Sequence, residues 1–175
     1  MLEELINQKK TDSDFLSKQF DQWLYEDRGR KIRGIEYFLN QRSENIDKLI
    51  RKAHDMSDLC SIKDFGIFSV GGYGRGELHP FSDIDLLLLS QSNLSTGEQK
   101  KIEKFISLLW DLGLDIGHSV RTLEQAKKQA REDIFTMTNM LEFRKLTGSE
   151  DLHKMYLDII DTKNLWRNKD RKSVV

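Results

Sequence analysis

The apolar positions of this chain change their spacing twice. From Asp12 to about Leu59 they keep helical steps, with Ile35, Phe38, Leu39, Ile46, Leu49, Ile50 and Ala53 at intervals of three and four and Arg42 on the same stripe. Gly29 and Gly34 are expected to separate this helix from an earlier one holding Phe15, Leu16, Phe20, Trp23 and Leu24. The middle of the chain reads as strands. Phe65 to Val70 is short, apolar and β-prone and runs into Gly71, Gly72, Gly74 and Gly76, the pattern of a strand entering a glycine loop. Ser82 to Leu89 contains an apolar run bounded by turn residues and too short for a typical helix, which predicts a strand buried on both faces. The next helix carries Ile102, Phe105, Ile106 and Leu109 on one face, starts from a capping box of Ser95 with Glu98 or Thr96 with Gln99, and ends at Gly113. Leu114 to Val120 alternates loosely as a third strand, and Thr122 with Gln125 offers another capping box. From there to the end the signal is helical: Ile134, Met137, Thr138 and Leu141 form one stripe, and Leu152, Met155, Tyr156, Ile159 and Ile160 another, with Gly148 between them.

Strands flanked by helices predict an α+β fold with an α/β-type core, a small mixed sheet bearing helical additions at both ends. The expected division is a helical extension over 1–60, a core over 61–150 and a C-terminal helical segment over 151–175. At 175 residues the chain can bury one sizeable interior. Lys and Arg number 28 against 29 Asp and Glu, so no single-sign field draws in long nucleic acid. The longest apolar run, Leu86 to Leu89, is far short of the roughly 20 residues that span a bilayer. The first residues, MLEELINQKK, lack the basic-then-apolar order of a signal peptide, and a cytoplasmic protein without membrane association is expected. Cys60 has no second cysteine to pair with and is expected to be packed or half-exposed; His54 and His153 are expected on the surface. The basic stretch from Lys163 to Lys172 reads as a solvated helix face.

Glycines at 71, 72, 74 and 76 after a strand let the backbone approach a ligand and aim amides at anionic oxygens, a phosphate cradle. The P-loop is excluded, because Gly76 is followed by Glu77-Leu78 and not by Lys-Ser/Thr; the dinucleotide fingerprint fails at Glu77. The bland alternative is a tight turn. Asp83 and Asp85 follow at the mouth of the buried strand, where residues two apart share a face about 7 Å apart at Cα and can converge on a hard cation such as Mg²⁺. The alternative there is a solvated aspartate turn. Asp115, flanked by Leu114 and Ile116 in a predicted strand, supplies a third carboxylate or else sits at a strand edge facing water. Two cations held by three carboxylates can activate an attacking oxygen and stabilise a leaving pyrophosphate. His79 and His118 flank these residues and read as hydrogen-bonding side chains. Trp23, Trp110 and Trp166 read as packing residues.

The stretch Val70-Gly71-Gly72-Tyr73-Gly74-Arg75-Gly76-Glu77-Leu78-His79-Pro80-Phe81-Ser82-Asp83-Ile84-Asp85-Leu86-Leu87 resembles the N-terminal nucleotidyltransferase domain of the PII-protein uridylyltransferase/uridylyl-removing enzymes. The likeness continues in Leu109-Trp110-Asp111 and in Gly117-His118-Ser119-Val120-Arg121-Thr122, and covers about 65 to 148. It implies the fold of the DNA polymerase β-like nucleotidyltransferase superfamily. It also implies Gly71 and Gly72 at the triphosphate, Arg75 and Ser82 at phosphate, and Asp83, Asp85 and Asp115 as catalytic metal ligands. Mg²⁺, with Mn²⁺ as the substitute, would be the cofactor, UTP or another NTP the donor, and a tyrosine of the PII nitrogen-regulatory protein the acceptor. Transfer to another protein or a small molecule, and a catalytically incomplete nucleotide-binding module, are the rival expectations. Full-length members of the resembled family continue into a phosphohydrolase domain with HD motifs and into ACT domains. The chain is therefore expected to be a fragment or a shortened relative, without uridylyl removal because no HD-type pair is expected in it.

Overall fold

The computed structural model describes residues 3–7, 9–11, 14, 18 and 32–161. The earlier helix expected around Phe15 to Leu24, the spacer Gly29, Trp23, Trp166 and the basic stretch at 163–172 lie outside these residues.

The first long helix, α1 (Ile32–Asp55), buries Phe38, Leu39, Ile46, Leu49, Ile50 and Ala53, the stripe expected from the periodicity. Gly34 does not end an element; it lies in the first turn of α1, where glycine costs only about 1 kcal/mol relative to alanine. After a 3-10 turn at Asp58–Ser61 comes β1 (Phe65–Val70), which passes directly into a single helical turn, α2 (Gly71–Gly74). Then follow β2 (Ile84–Ser90), α3 (Thr96–Asp111), β3 (Ile116–Thr122), α4 (Leu123–Glu132), α5 (Ile134–Leu141), β4 (Phe143–Gly148) and α6 (Glu150–Ile160). The sheet runs β3-β2-β1-β4, with β1 antiparallel to β2 and β4, and β2 parallel to β3. This is the mixed sheet flanked by helices that the sequence predicts.

Strand alternation divides the interior in two. Ile67, Ile84, Leu86, Leu88 and Ile116 pack towards Leu49, Ile50, Ile102, Phe105 and Leu109 of α1 and α3. Phe68, Leu87 and Leu89 pack towards Ala126, Ala130, Met137, Met140 and Tyr156 of α4, α5 and α6. Leu86 to Leu89 are all buried, each contributing about 2 kcal/mol by leaving water, which makes β2 a rigid bar under Asp85. Ser95 with Glu98 and Thr122 with Gln125 both form reciprocal capping boxes, and Gly113 closes α3 at φ +68°.

The chain after Val120 departs from the all-helical expectation. Phe143–Gly148 is a strand on the free side of β1, and its end comes so close to β1 that a Cβ on Gly148 would lie 2.6 Å from the Gly66 Cα. In α5 the buried residues are Met137 and Met140, whereas Ile134 and Leu141 of the expected stripe are 64% and 44% exposed. Two turns of helix are too short for periodicity to fix the face. Met155, also placed on an apolar stripe, is 38% exposed. Cys60 is exposed, contrary to expectation. His54 and His153 are half-buried and not on the surface: His54 folds back towards the 3-10 turn, and His153 packs on Phe143 at 5.6 Å between ring centres.

Candidate active site

Asp85 is the exposed residue in an otherwise buried strand. It is the second residue of β2 and lies opposite Gly117 of β3. A Cβ on Gly117 would lie 2.5 Å from Asp85 Oδ1, so the carboxylate occupies space that only a glycine leaves free. On the other side, a Cβ on Gly71 would lie 3.9 Å from Asp85 Oδ2. The carboxylate therefore sits between the glycine loop and β3. Asp83 precedes β2 and lies outside the strand, but its charge reaches Asp85: burial, then the Asp83 carboxylate, raise the Asp85 pKa from its ordinary value. Neither carboxylate has a cation or hydrogen-bond donor among the described residues.

The glycine loop is held from behind by groups that the sequence reading did not single out. Tyr73 Oη donates to Asp47 Oδ1 of α1 at 2.7 Å, and both residues are buried. Arg144 of β4 binds Asp47 with two guanidinium nitrogens, donates to the Tyr73 carbonyl at 3.3 Å and lies over the Tyr73 ring. Burial and the adjacent Asp47 carboxylate push the Tyr73 pKa up, so the phenol stays a donor. Gly74 is pressed against the residue just before β4, where an added Cβ would lie 2.0 Å from the Glu142 carbonyl oxygen. Gly72, in contrast, has ordinary space around it: its Cβ would come no closer than 3.6 Å to Glu77 O. Tight packing demands a glycine at 74; at 72 the fold itself does not. The amides opening α2 have no acceptor within that turn.

The remaining expected residues are dispersed. Arg75 is paired with Glu77 at 2.9 Å and with Glu142, so its guanidinium is already engaged by carboxylates. Asp115 lies just before β3, where its carbonyl accepts from Ile84 N at 2.8 Å. Asp115 and Ser82 line a cavity of about 460 Å³ on the α1 side, together with Lys9, Arg42 and Phe81. Asp85 lines a different one, of about 330 Å³, with Ser119, Arg121, Thr136 and Asn139. His118 borders it and makes an edge contact with the half-exposed Trp110, while His79 is exposed in the loop before β2.

Two repelling carboxylates without a protein cation are a donor set that fits a hard divalent metal. Asp115 does not close that set. Among the described residues, the three-residue group of His, Cys, Asp or Glu whose ligand atoms lie within 4.8 Å of one another is His54, Asp55 and Cys60. His54-Asp55 is also a histidine–aspartate pair, which corrects the expectation that none occurs. It stands alone at the end of α1.

A family model described as a nucleotidyltransferase domain matches residues 46–137. The bifunctional uridylyltransferase/uridylyl-removing enzyme of Pseudoalteromonas translucida is 40% identical over 172 residues, 97% of this chain and 19% of that protein. Those of Pseudomonas savastanoi pv. phaseolicola and Pseudomonas fluorescens Pf-5 are 38% and 42% identical, over 84% and 81% of this chain. The chain spans only 16% and 15% of those two proteins' lengths. A crystal structure of a toxin-antitoxin with AMP-PNP aligns over 65% of this chain and 83% of its own, at 20% identity and a TM-score of 0.41. No helix among the described residues is long and apolar enough to cross a membrane.

Proposed function

The chain belongs to the nucleotidyltransferase domain family, and from that premise we propose that it transfers UMP from UTP to a tyrosine hydroxyl of a PII-type regulatory protein, releasing pyrophosphate. The acceptor oxygen forms a bond to the α-phosphorus, the bond to the bridging oxygen of pyrophosphate breaks, and the hydroxyl proton goes to solvent. The observation carrying this reading is the Asp85 carboxylate lodged between Gly71 and Gly117, with Asp83 charging the same spot. Gly71 and Gly72 would lie against the triphosphate. Asp83 and Asp85 would hold Mg²⁺, or Mn²⁺ in its place, and a bound divalent ion supplies charge neutralisation to the phosphates. Asp115 and Ser82, which line the neighbouring cavity together, belong to this site if their side chains turn from that cavity towards Asp83 and Asp85 when nucleotide binds. Arg75 would have to exchange a carboxylate for phosphate, because Glu77 and Glu142 hold it now. The catalytic core is assigned to 61–150 and the compartment to the cytosol.

The reading is tested by offering UTP, ATP, CTP and GTP in turn with PII protein and a divalent ion. Transfer from UTP to a PII tyrosine is the expected result. Transfer from another nucleotide, or to another acceptor, would redirect the specificity and leave the reaction class intact. Absence of nucleotide binding at millimolar concentration would end the proposal.

A further inference from the structure

An in-line displacement requires the attacking oxygen and the leaving pyrophosphate to lie on opposite sides of the α-phosphorus. With the triphosphate on the glycine loop, pyrophosphate leaves past Gly71, on the Oδ2 side of Asp85. The attacker must then arrive from the Oδ1 side, past Gly117. That side is not bare. It opens into the 330 Å³ cavity between the β2–β3 face and α5, with apolar walls from Val70, Leu87 and Met140. Its polar groups come from β3 and α5: Ser119, Arg121, Thr136 and Asn139.

Arg121 is the informative residue. It is half-buried and lines this cavity, yet no carboxylate among the described residues pairs with it. Its charge is felt by Asp133 and Tyr156, but neither bonds to it. Arg75, the guanidinium expected at phosphate, is held by two acids, whereas no acid among the described residues engages the Arg121 donors. A half-buried guanidinium beside apolar walls suits an aromatic ring whose terminal hydroxyl oxygen carries negative charge once its proton has left.

Building on the transferase reading, we infer that this cavity is the acceptor subsite. It takes a tyrosine side chain of the acceptor protein between Val70, Leu87 and Met140, and Arg121 and Asn139 orient its hydroxyl toward the α-phosphorus. Arg121 is thus assigned to the acceptor and not to the nucleotide.

Two measurements test this. In the first, N-acetyl-tyrosinamide is titrated into the ¹⁵N-labelled chain, and amide shifts are followed. The expected result is perturbation of Ser119, Thr136 and the Asn139 side-chain amide, larger than with N-acetyl-phenylalaninamide. Perturbations confined to other surfaces, or none up to the solubility limit, would overturn the inference. In the second, Arg121→Met is compared with the native chain. UTP affinity should stay within about twofold while the KM for the tyrosine acceptor rises about tenfold or more. A fall in UTP affinity, or an unchanged acceptor KM, would assign the cavity elsewhere. Failure of the transferase reading itself shows differently, as absent UTP binding with the tyrosinamide shifts retained.

Discussion

Replacing Gly117 with alanine separates function from stability more sharply than any substitution of the acids themselves. The added Cβ would stand 2.5 Å from Asp85 Oδ1 and 3.7 Å from its Cγ. Taking about 3.3 Å as the closest ordinary carbon–oxygen approach, the carboxylate must retreat by roughly 0.8 Å. Gly117 is not among the glycines with positive φ, so its backbone accepts alanine without strain. Loss of unfolded-state freedom stabilises by about 0.5 kcal/mol, and an off-rotamer Asp85 costs about as much. The melting temperature should therefore stay within about 3 °C of the native chain. Activity should not. A displacement near 1 Å at a reacting centre costs on the order of 100-fold, so pyrophosphate release in the presence of acceptor should fall by about that factor. The two readouts are scanning calorimetry and a coupled pyrophosphate assay, with Asp85→Asn as the reference for complete loss. Native turnover in a folded Gly117→Ala chain would mean that the position of Asp85 does not matter, and the site as drawn would be wrong.

Metal-free Asp85→Asn should melt above the native chain at pH 7. The raised pKa of Asp85 means that the folded state favours the protonated acid, so its contribution to native stability is fullest below the unfolded carboxylate pKa of about 3.9 and is lost as pH rises through the folded value. Calorimetry in EDTA from pH 3 to 7 should show the two chains converging at the acid end; parallel curves would contradict the burial argument. Gly72→Val should weaken NTP binding by about tenfold, roughly 1.4 kcal/mol, while changing thermal stability little, because the fold leaves space at that Cβ. Titration calorimetry reads this, and undiminished binding would reduce the loop to a turn. Arg144→Met strands the buried Asp47 carboxylate and should destabilise by about 3 kcal/mol in chemical denaturation; a loss below 1 kcal/mol would show that Arg51 or water replaces it.

How much the sequence disclosed depended on the length of each signal. Twelve or more residues of helical spacing in α1 and α3, reinforced by Ser95–Glu98, leave little choice of element, and Leu86 to Leu89 announce a strand buried on both faces. Phe143–Gly148 was hidden because FRKLTG is half-buried, charged at two positions and enclosed by helical stripes; only pairing with β1 makes it a strand. At the site, the glycines and Asp85 were legible as local patterns. The Asp47–Tyr73–Arg144 clamp was not, since it joins three elements across 97 residues and each member looks ordinary alone. The signal for Arg121 was within reach, in the Gly117 to Thr122 segment. What could not be read there is that Arg75 is paired and that Arg121 has no carboxylate partner among the described residues.

Uridylyl transfer supported by Asp83 and Asp85 is the step on which the proposed function rests. Its most direct test incubates the chain with UTP labelled at the α-phosphate, a divalent ion and PII protein, and locates any label by peptide mass spectrometry. One uridylyl group on a PII tyrosine is expected, dependent on the divalent ion and lost in Asp83→Asn/Asp85→Asn while that variant remains folded. Labelling that survives the double substitution would contradict it.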